Sequence, residues 1–151
     1  MKKNKISMKR LSAVSIVLIL MISFLLMLSS CTQSVFLYFA EYTETESYLV
    51  KEVREIPPDG LLYKKAVEEL IKGPVSSNLF PTIPSDVKVN SVEISGSTAV
   101  IDFSREIITN LDEIPHSSTT EVLAIYSIVN TLTGFEEINS VKITIEGKDS
   151  G

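Results

Sequence analysis

Val89-Asn90-Ser91-Val92-Glu93-Ile94-Ser95, then Gly96-Ser97, then Thr98-Ala99-Val100-Ile101-Asp102-Phe103-Ser104 reads as two strands around a two-residue turn. A Gly at the first central position fits a type II′ hairpin, because that position needs φ > 0. The turn sets the register: Ser95 opposite Thr98, Ile94 opposite Ala99, Val92 opposite Ile101. Val92, Ile94, Ala99, Ile101 and Phe103 then share one face, and Ser91, Glu93, Val100, Asp102 and Ser104 the other. A hairpin with one apolar face needs helices to cover it.

Helical signals lie on both sides of it. Upstream, Asp59 can cap a helix over residues 61–72 whose apolar residues Leu62, Ala66, Val67, Leu70 and Ile71 recur at helical spacing. Glu68 and Lys72 form an i,i+4 pair on its wet face, and Gly73-Pro74 stops it. Residues 75–86 are a loop with Pro81 and Pro84. Downstream, residues 105–115 are irregular and polar. Ser118-Thr119-Thr120-Glu121 is a capping box. The helix behind it runs to Thr133, with Val122, Ile125, Val129 and Leu132 as its inward stripe, and Gly134 closes it. Val141 to Glu146 alternates cleanly as the last strand, ended by Gly147.

Nearer the N-terminus, Val35 to Glu41 is aromatic and β-branched. Tyr42 to Ser47 is turn-like. Tyr48 to Ile56 returns as a second strand, ended by Pro57-Pro58. The order is ββ-α-ββ-α-β, an α+β class: an N-terminal hairpin plus an αββαβ core, with helices on one face of a small mixed sheet. The connection between the last two strands is a helical crossover, expected to be right-handed.

The chain has 151 residues and a formal net charge of -5, with 14 Lys and Arg against 19 Asp and Glu. Lys2, Lys3, Lys5, Lys9 and Arg10 lie in residues 1–30, which hold no acid. That leaves 9 basic against 19 acidic residues over 31–151, a net of -10. So acidic a body is unsuited to a nucleic-acid backbone. One Cys and one His exclude a disulfide framework and zinc sites built from several such residues.

After the basic start, Leu11 to Leu28 is uncharged and mostly apolar. As a helix it would span roughly 27 Å, near the thickness of a bilayer core. Leu28-Ser29-Ser30-Cys31 then resembles a bacterial lipobox. That resemblance implies a signal peptide over 1–30, diacylglyceration of Cys31 and cleavage just before it. It places the body on the extracytoplasmic face of the cell membrane. Residues 31–34 form the lipidated Cys and a tether of at most about 14 Å, 35–147 the domain, and 148–151 a tail.

Reactive residues are few. His116 sits in a polar loop with no second His. Ser104, beside Asp102, has no base placed to activate it. Glu68-Glu69 and Glu136-Glu137 lack the spacing of a calcium loop. Asn130-Thr131, weak helix formers inside a helix, suggest a hydrogen bond to a loop or a partner. No enzyme activity, cofactor or metal is expected.

Ala66-Val67-Glu68-Glu69-Leu70-Ile71-Lys72-Gly73-Pro74 and Leu79-Phe80-Pro81-Thr82-Ile83-Pro84 resemble the first half of the GerMN domain. Val100-Ile101-Asp102-Phe103-Ser104, Glu121 with Ser127-Ile128-Val129-Asn130-Thr131-Leu132, and Val141-Lys142-Ile143-Thr144-Ile145-Glu146-Gly147 resemble its second half. The resemblance covers residues 35–147. It implies a sporulation or germination lipoprotein, and a fold like the αββαβ ring-building modules of secretion systems. The sporulation protein of that name carries two such domains, and one is read here. The function implied is a non-catalytic assembly module in sporulation, germination or the cell envelope. Its partners are the membrane, through the anchor, and other envelope or sporulation proteins, with a homo-oligomer left open. Leu79, Phe80 and Ile83, in a stretch without charge, are the expected partner surface. The alternative is a sensor for a germinant or cell-wall fragment, with Tyr38, Tyr42, Tyr48, Tyr63 and Tyr126 available to line its pocket.

The lipobox reading makes Cys31 the sole acylation site. Cys31→Ala should leave an uncleaved precursor that takes up no clickable fatty acid, whereas the wild type is labelled. Label on the Ala variant, or none on the wild type, contradicts the reading.

Overall fold

Gly96 takes φ +62°, and the hairpin closes in the expected register. Ser95 faces Thr98, Ile94 faces Ala99 and Val92 faces Ile101, with a bulge between Val89 and Ser91. The computed structural model describes Leu18, Leu20, Met21, residues 32–109, Ile114 and residues 117–149. Cys31, His116 and most of the apolar leader lie outside these residues. Among the described residues no helix is long and apolar enough to cross a membrane.

Strands β1 (Gln33–Tyr42) and β2 (Ser47–Ile56) form an antiparallel pair of their own. Helix α1 (Leu62–Lys72) follows, then β3 (Val89–Ser95) and β4 (Thr98–Phe103). A short helix α2 (Glu106–Thr109), α3 (Ser118–Thr133), β5 (Ser140–Ile145) and β6 (Lys148–Asp149) complete the order. The second sheet runs β3-β4-β5-β6, with β4 and β5 parallel across the α3 crossover. This is the expected α+β arrangement, with three additions. β1 starts at Gln33, so only Thr32 separates it from Cys31. α2 forms in the stretch expected to be irregular. β6 arises because Glu146 (φ 50°) and Gly147 (φ 72°) turn the chain back in two residues.

Each of the long helices touches both sheets: α1 meets β1 and β3, and α3 meets β1 and β5. One core results. It takes Val35, Leu37 and Phe39 from the first hairpin and Ala66, Val67 and Leu70 from α1. Ile128 and Leu132 come from α3, and Ala99, Ile101 and Phe103 from β4. On the predicted apolar face of β3–β4, Ala99, Ile101 and Phe103 are fully buried and Val92 partly so. Ile94 is exposed, because it lies at the turn end of the edge strand.

Three local readings change. Asp59 does not cap α1 at its first turn from the N-cap position. Leu61 holds that position without a side-chain bond, and Asp59 Oδ1 accepts from Leu61 N at 3.1 Å. The surface pairs of α1 are Lys64–Glu68 and Lys72–Glu69, not Glu68–Lys72. The capping box of α3 sits one residue early. Ser117 Oγ accepts from Thr120 N at 3.2 Å, and Thr120 Oγ1 accepts from Ser117 N at 3.0 Å. Thr serves in place of Glu because its short hydroxyl reaches back while the side chain stays buried.

Ile101, at 0 % exposure, and Glu93, exposed on the opposite face, give a direct test. Ile101→Asp buries an unpaired charge and should abolish cooperative folding, whereas Glu93→Lys should shift the melt by under about 0.5 kcal/mol. Circular dichroism melts of the two variants check this; equal tolerance would refute the packing.

Candidate interaction surfaces

Leu79, Phe80 and Ile83 do not form one outward surface. Leu79 and Ile83 are buried in the core, and only Phe80 is exposed, at 48 %. The uncharged loop is apolar because it packs inward. Its backbone also continues the first sheet: Phe80 N donates to Ala40 O at 2.8 Å, and Ala40 N to Phe80 O at 3.1 Å. Phe80 thereby shields part of the free edge of β1, with its ring 5.3 Å from that of Tyr42. A groove of about 510 Å³ runs along the loop, past Ile71, Pro74, Leu79, Pro81 and Ile83. None of the five tyrosines lines it. Tyr63 packs edge-on against Phe135 and donates to Glu137, while Tyr126 projects from α3. The convergence that a sensor pocket requires is not present at this groove.

Helix α3 holds the surface that the sequence pattern concealed. Its buried side is Thr120, Leu123, Ser127, Ile128, Thr131 and Leu132. Of the stripe expected to face inward, Leu132 is fully buried, but Val122 is 46 % exposed, Ile125 51 % and Val129 only half-buried, and Tyr126, 55 % exposed, lies beside them. Positions 122, 125, 126 and 129 follow i, i+3, i+4, i+7, so they form one continuous apolar strip. The helix lies close to β1 and α1 through small side chains. Ser127 Oγ accepts from Thr82 Oγ1 at 2.8 Å and donates to Ala124 O at 2.8 Å. Thr131 Oγ1 is buried without a hydrogen bond, so it serves neither the loop nor the partner contact expected of it. The regular spacing of Thr120, Ser127 and Thr131 among the apolar residues was the available signal for this second face.

The remaining polar groups are structural. Asp102 Oδ1 accepts from Thr144 Oγ1 at 2.7 Å and from Gly147 N at 2.8 Å, and Oδ2 from Asn90 Nδ2 at 2.8 Å. These bonds, that of Thr144 foremost, lower its pKa. Ser104 Oγ accepts from Lys88 N at 2.9 Å. Among the described residues no group of three or more His, Cys, Asp or Glu could hold a metal ion.

A family model described as sporulation and spore germination, Germane, matches residues 36–151. The chain belongs to the Germane family. Among solved structures, the Germane fold of this chain is similar to the tandem GerMN domains of the sporulation protein GerM from Bacillus subtilis. That match has 25 % identity and a TM-score of 0.64, and covers 80 % of this chain and 41 % of that one. The chain thus spans about two fifths of the tandem structure. The first GerMN domain of the same protein matches at 26 % identity and TM-score 0.60, covering 79 % of this chain and 85 % of that one. A suspected lipoprotein from Clostridium perfringens matches at 26 % and 0.53, covering 78 % and 76 %. No curated protein matches the sequence.

In this Germane domain the first hairpin is fastened to the rest by an ion cluster. Arg54 donates to Glu52 at 2.7 Å, to Glu69 at 3.0 Å and to Gly73 O at 2.9 Å. Glu52 also accepts from Val75 N at 3.1 Å and Ser76 N at 2.9 Å. Burial alone would raise the Glu52 pKa. The Ser76 and Val75 donors and the Arg54 guanidinium outweigh it and hold the carboxyl down at about 2, against 4.5 when free. A lowered folded pKa stabilises above the unfolded value, and that stability is lost as pH falls through the folded value. Glu52→Gln should therefore cost about 2 kcal/mol at pH 7. The gap between variant and wild type should close as pH falls from 4.5 towards 2. Denaturant melts across that range check it; a pH-independent gap would contradict the assignment.

Proposed function

We propose that this Germane-family chain is a membrane-anchored, extracytoplasmic module that docks other proteins during sporulation, spore germination or envelope assembly, with no chemistry of its own. The supporting observation is the outward strip of α3. Exposed large apolar side chains scattered singly are ordinary, but three in helical register, with half-buried Val129 continuing them, suit a binding face. The body carries a net -10, yet Val122, Ile125, Tyr126 and Val129 form a strip free of charge. This is the composition of an interface centre. A stable contact there would bury about 800 Å² per partner. The leader and its lipobox-like end support the anchor, and the similarity to a suspected lipoprotein agrees with it.

Ile125→Asp tests the surface without disturbing the core, since Ile125 is half exposed. The variant should melt within about 0.5 kcal/mol of wild type. A photocrosslinking residue at Tyr126 in intact cells should give a discrete protein adduct that disappears when Ile125→Asp is added. Loss of sporulation or germination efficiency should accompany it. A variant that folds, retains every adduct and functions normally would refute the docking role of α3.

A further inference from the structure

The outer face of the first hairpin is a second exposed apolar surface, with different neighbours. Phe36 and Val53 are directly cross-strand and exposed at 40 % and 53 %. Tyr38 and Lys51 form the next pair on the same face. The Lys51 ammonium lies 4.8 Å over the Phe36 ring. Together they make an apolar and aromatic patch with a cation at its centre. Most acids of the hairpin lie elsewhere: Glu44 and Glu46 are at the turn, and Glu41 and Glu52 face the other side. Glu55, opposite Ser34, shares the face of the patch, where its carboxylate accepts from the Thr32 and Ser34 hydroxyls, and Glu136 and Glu137 line the groove beside Phe36. The patch occupies the middle of the hairpin's outer face, with the Ser34–Glu55 pair between it and the Gln33–Ile56 end.

That position decides its occupant. The apolar leader ends at Leu28 and the lipobox-like Cys31 follows, while β1 begins at Gln33. Whether the membrane is held by a lipid on Cys31 or by the leader itself, the chain from it to Phe36 spans no more than about 30 Å. A body of net -10 is repelled by anionic lipid, and on this face the Lys51 ammonium offsets the Glu55 carboxylate. Aromatic rings with a neighbouring Lys suit the headgroup layer, where the rings sit at the apolar boundary and the ammonium reaches phosphates.

We propose that the outer face of the β1–β2 hairpin, through Phe36, Tyr38, Lys51 and Val53, lies on the bilayer surface and orients the domain. The α3 strip then remains available for protein. The inference rests on the membrane-anchored reading of the leader, but it does not depend on acylation of Cys31.

The full chain, reconstituted as the only protein in phosphatidylethanolamine–phosphatidylglycerol vesicles, tests this. An environment-sensitive fluorescent amino acid replaces Val53, Glu44 or Glu93 in turn. The probe at 53 should shift to the blue and be quenched several-fold more by a bilayer-embedded quencher lipid than the probes at 44 and 93. Lys51→Glu should reduce that quenching. Equal quenching at all three positions overturns the proposal. So does a probe at 53 that is protected only in cells, which would assign the face to a protein. Fatty-acid labelling of Cys31 in the same sample reads the anchor separately. An unlabelled Cys31 with position 53 still quenched refutes acylation and supports the lipid-facing hairpin.

Discussion

The two sheets share no strand ladder, so their union depends on helices that bury side chains in both directions. Val35, Leu37 and Phe39 on one side and Ala99, Ile101 and Phe103 on the other meet α1 and α3 in a single apolar core. An amphipathic helix normally offers one apolar stripe. A helix that must approach a hairpin and a second helix as well as a sheet needs small residues at the close crossings. Ser127 and Thr131 fill that need on α3. One hydroxyl is satisfied by Thr82, and the other stays buried and unpaired. Such a group costs on the order of 1–3 kcal/mol, which the surrounding packing outweighs.

The same constraint explains the first hairpin. Two strands of ten residues are marginal alone in water. Here the inner face enters the core, the Phe80 backbone shields part of one edge, and the Arg54 cluster ties the pair to the end of α1 and to residues 75–76. The outer face, with Phe36 and Val53, is left exposed. The hairpin is thus fixed to the core by one face only.

Family membership and fold do not by themselves supply a function. Surface chemistry narrows it. An apolar strip on α3 and an aromatic patch on the outer face of the hairpin lie on separate elements, and the surrounding body is acidic. The GerM structure with tandem GerMN domains exceeds this chain in length, and the family model here matches once, over 36–151.

Local chemistry alone determined much of the fold. Gly96-Ser97 set the register of β3 and β4, because a two-residue turn leaves a single pairing that gathers Ala99, Ile101 and Phe103 on one face. Gly73-Pro74 ended α1, because proline cannot continue a helix. The lipobox-like end of the leader, the acidic body and the family resemblance also stand in the sequence. Which side of α3 faces inward did not. The helix has two competing apolar patterns, and single-element periodicity favours the one unbroken by hydroxyl residues, Val122, Ile125, Val129 and Leu132, of which only Leu132 is fully buried. Only the presence of β1 and α1 turned the side of Leu123, Ser127, Ile128 and Thr131 inward. The fate of Leu79, Phe80 and Ile83 was undecided for the same reason. An uncharged loop reads alike whether it packs inward or awaits a partner, and only the pairing of Phe80 with Ala40 sent two of the three side chains into the core. The Glu52–Arg54–Glu69 cluster joins residues up to 17 apart in sequence through a backbone turn at Gly73, a relation that exists only after the hairpin has docked.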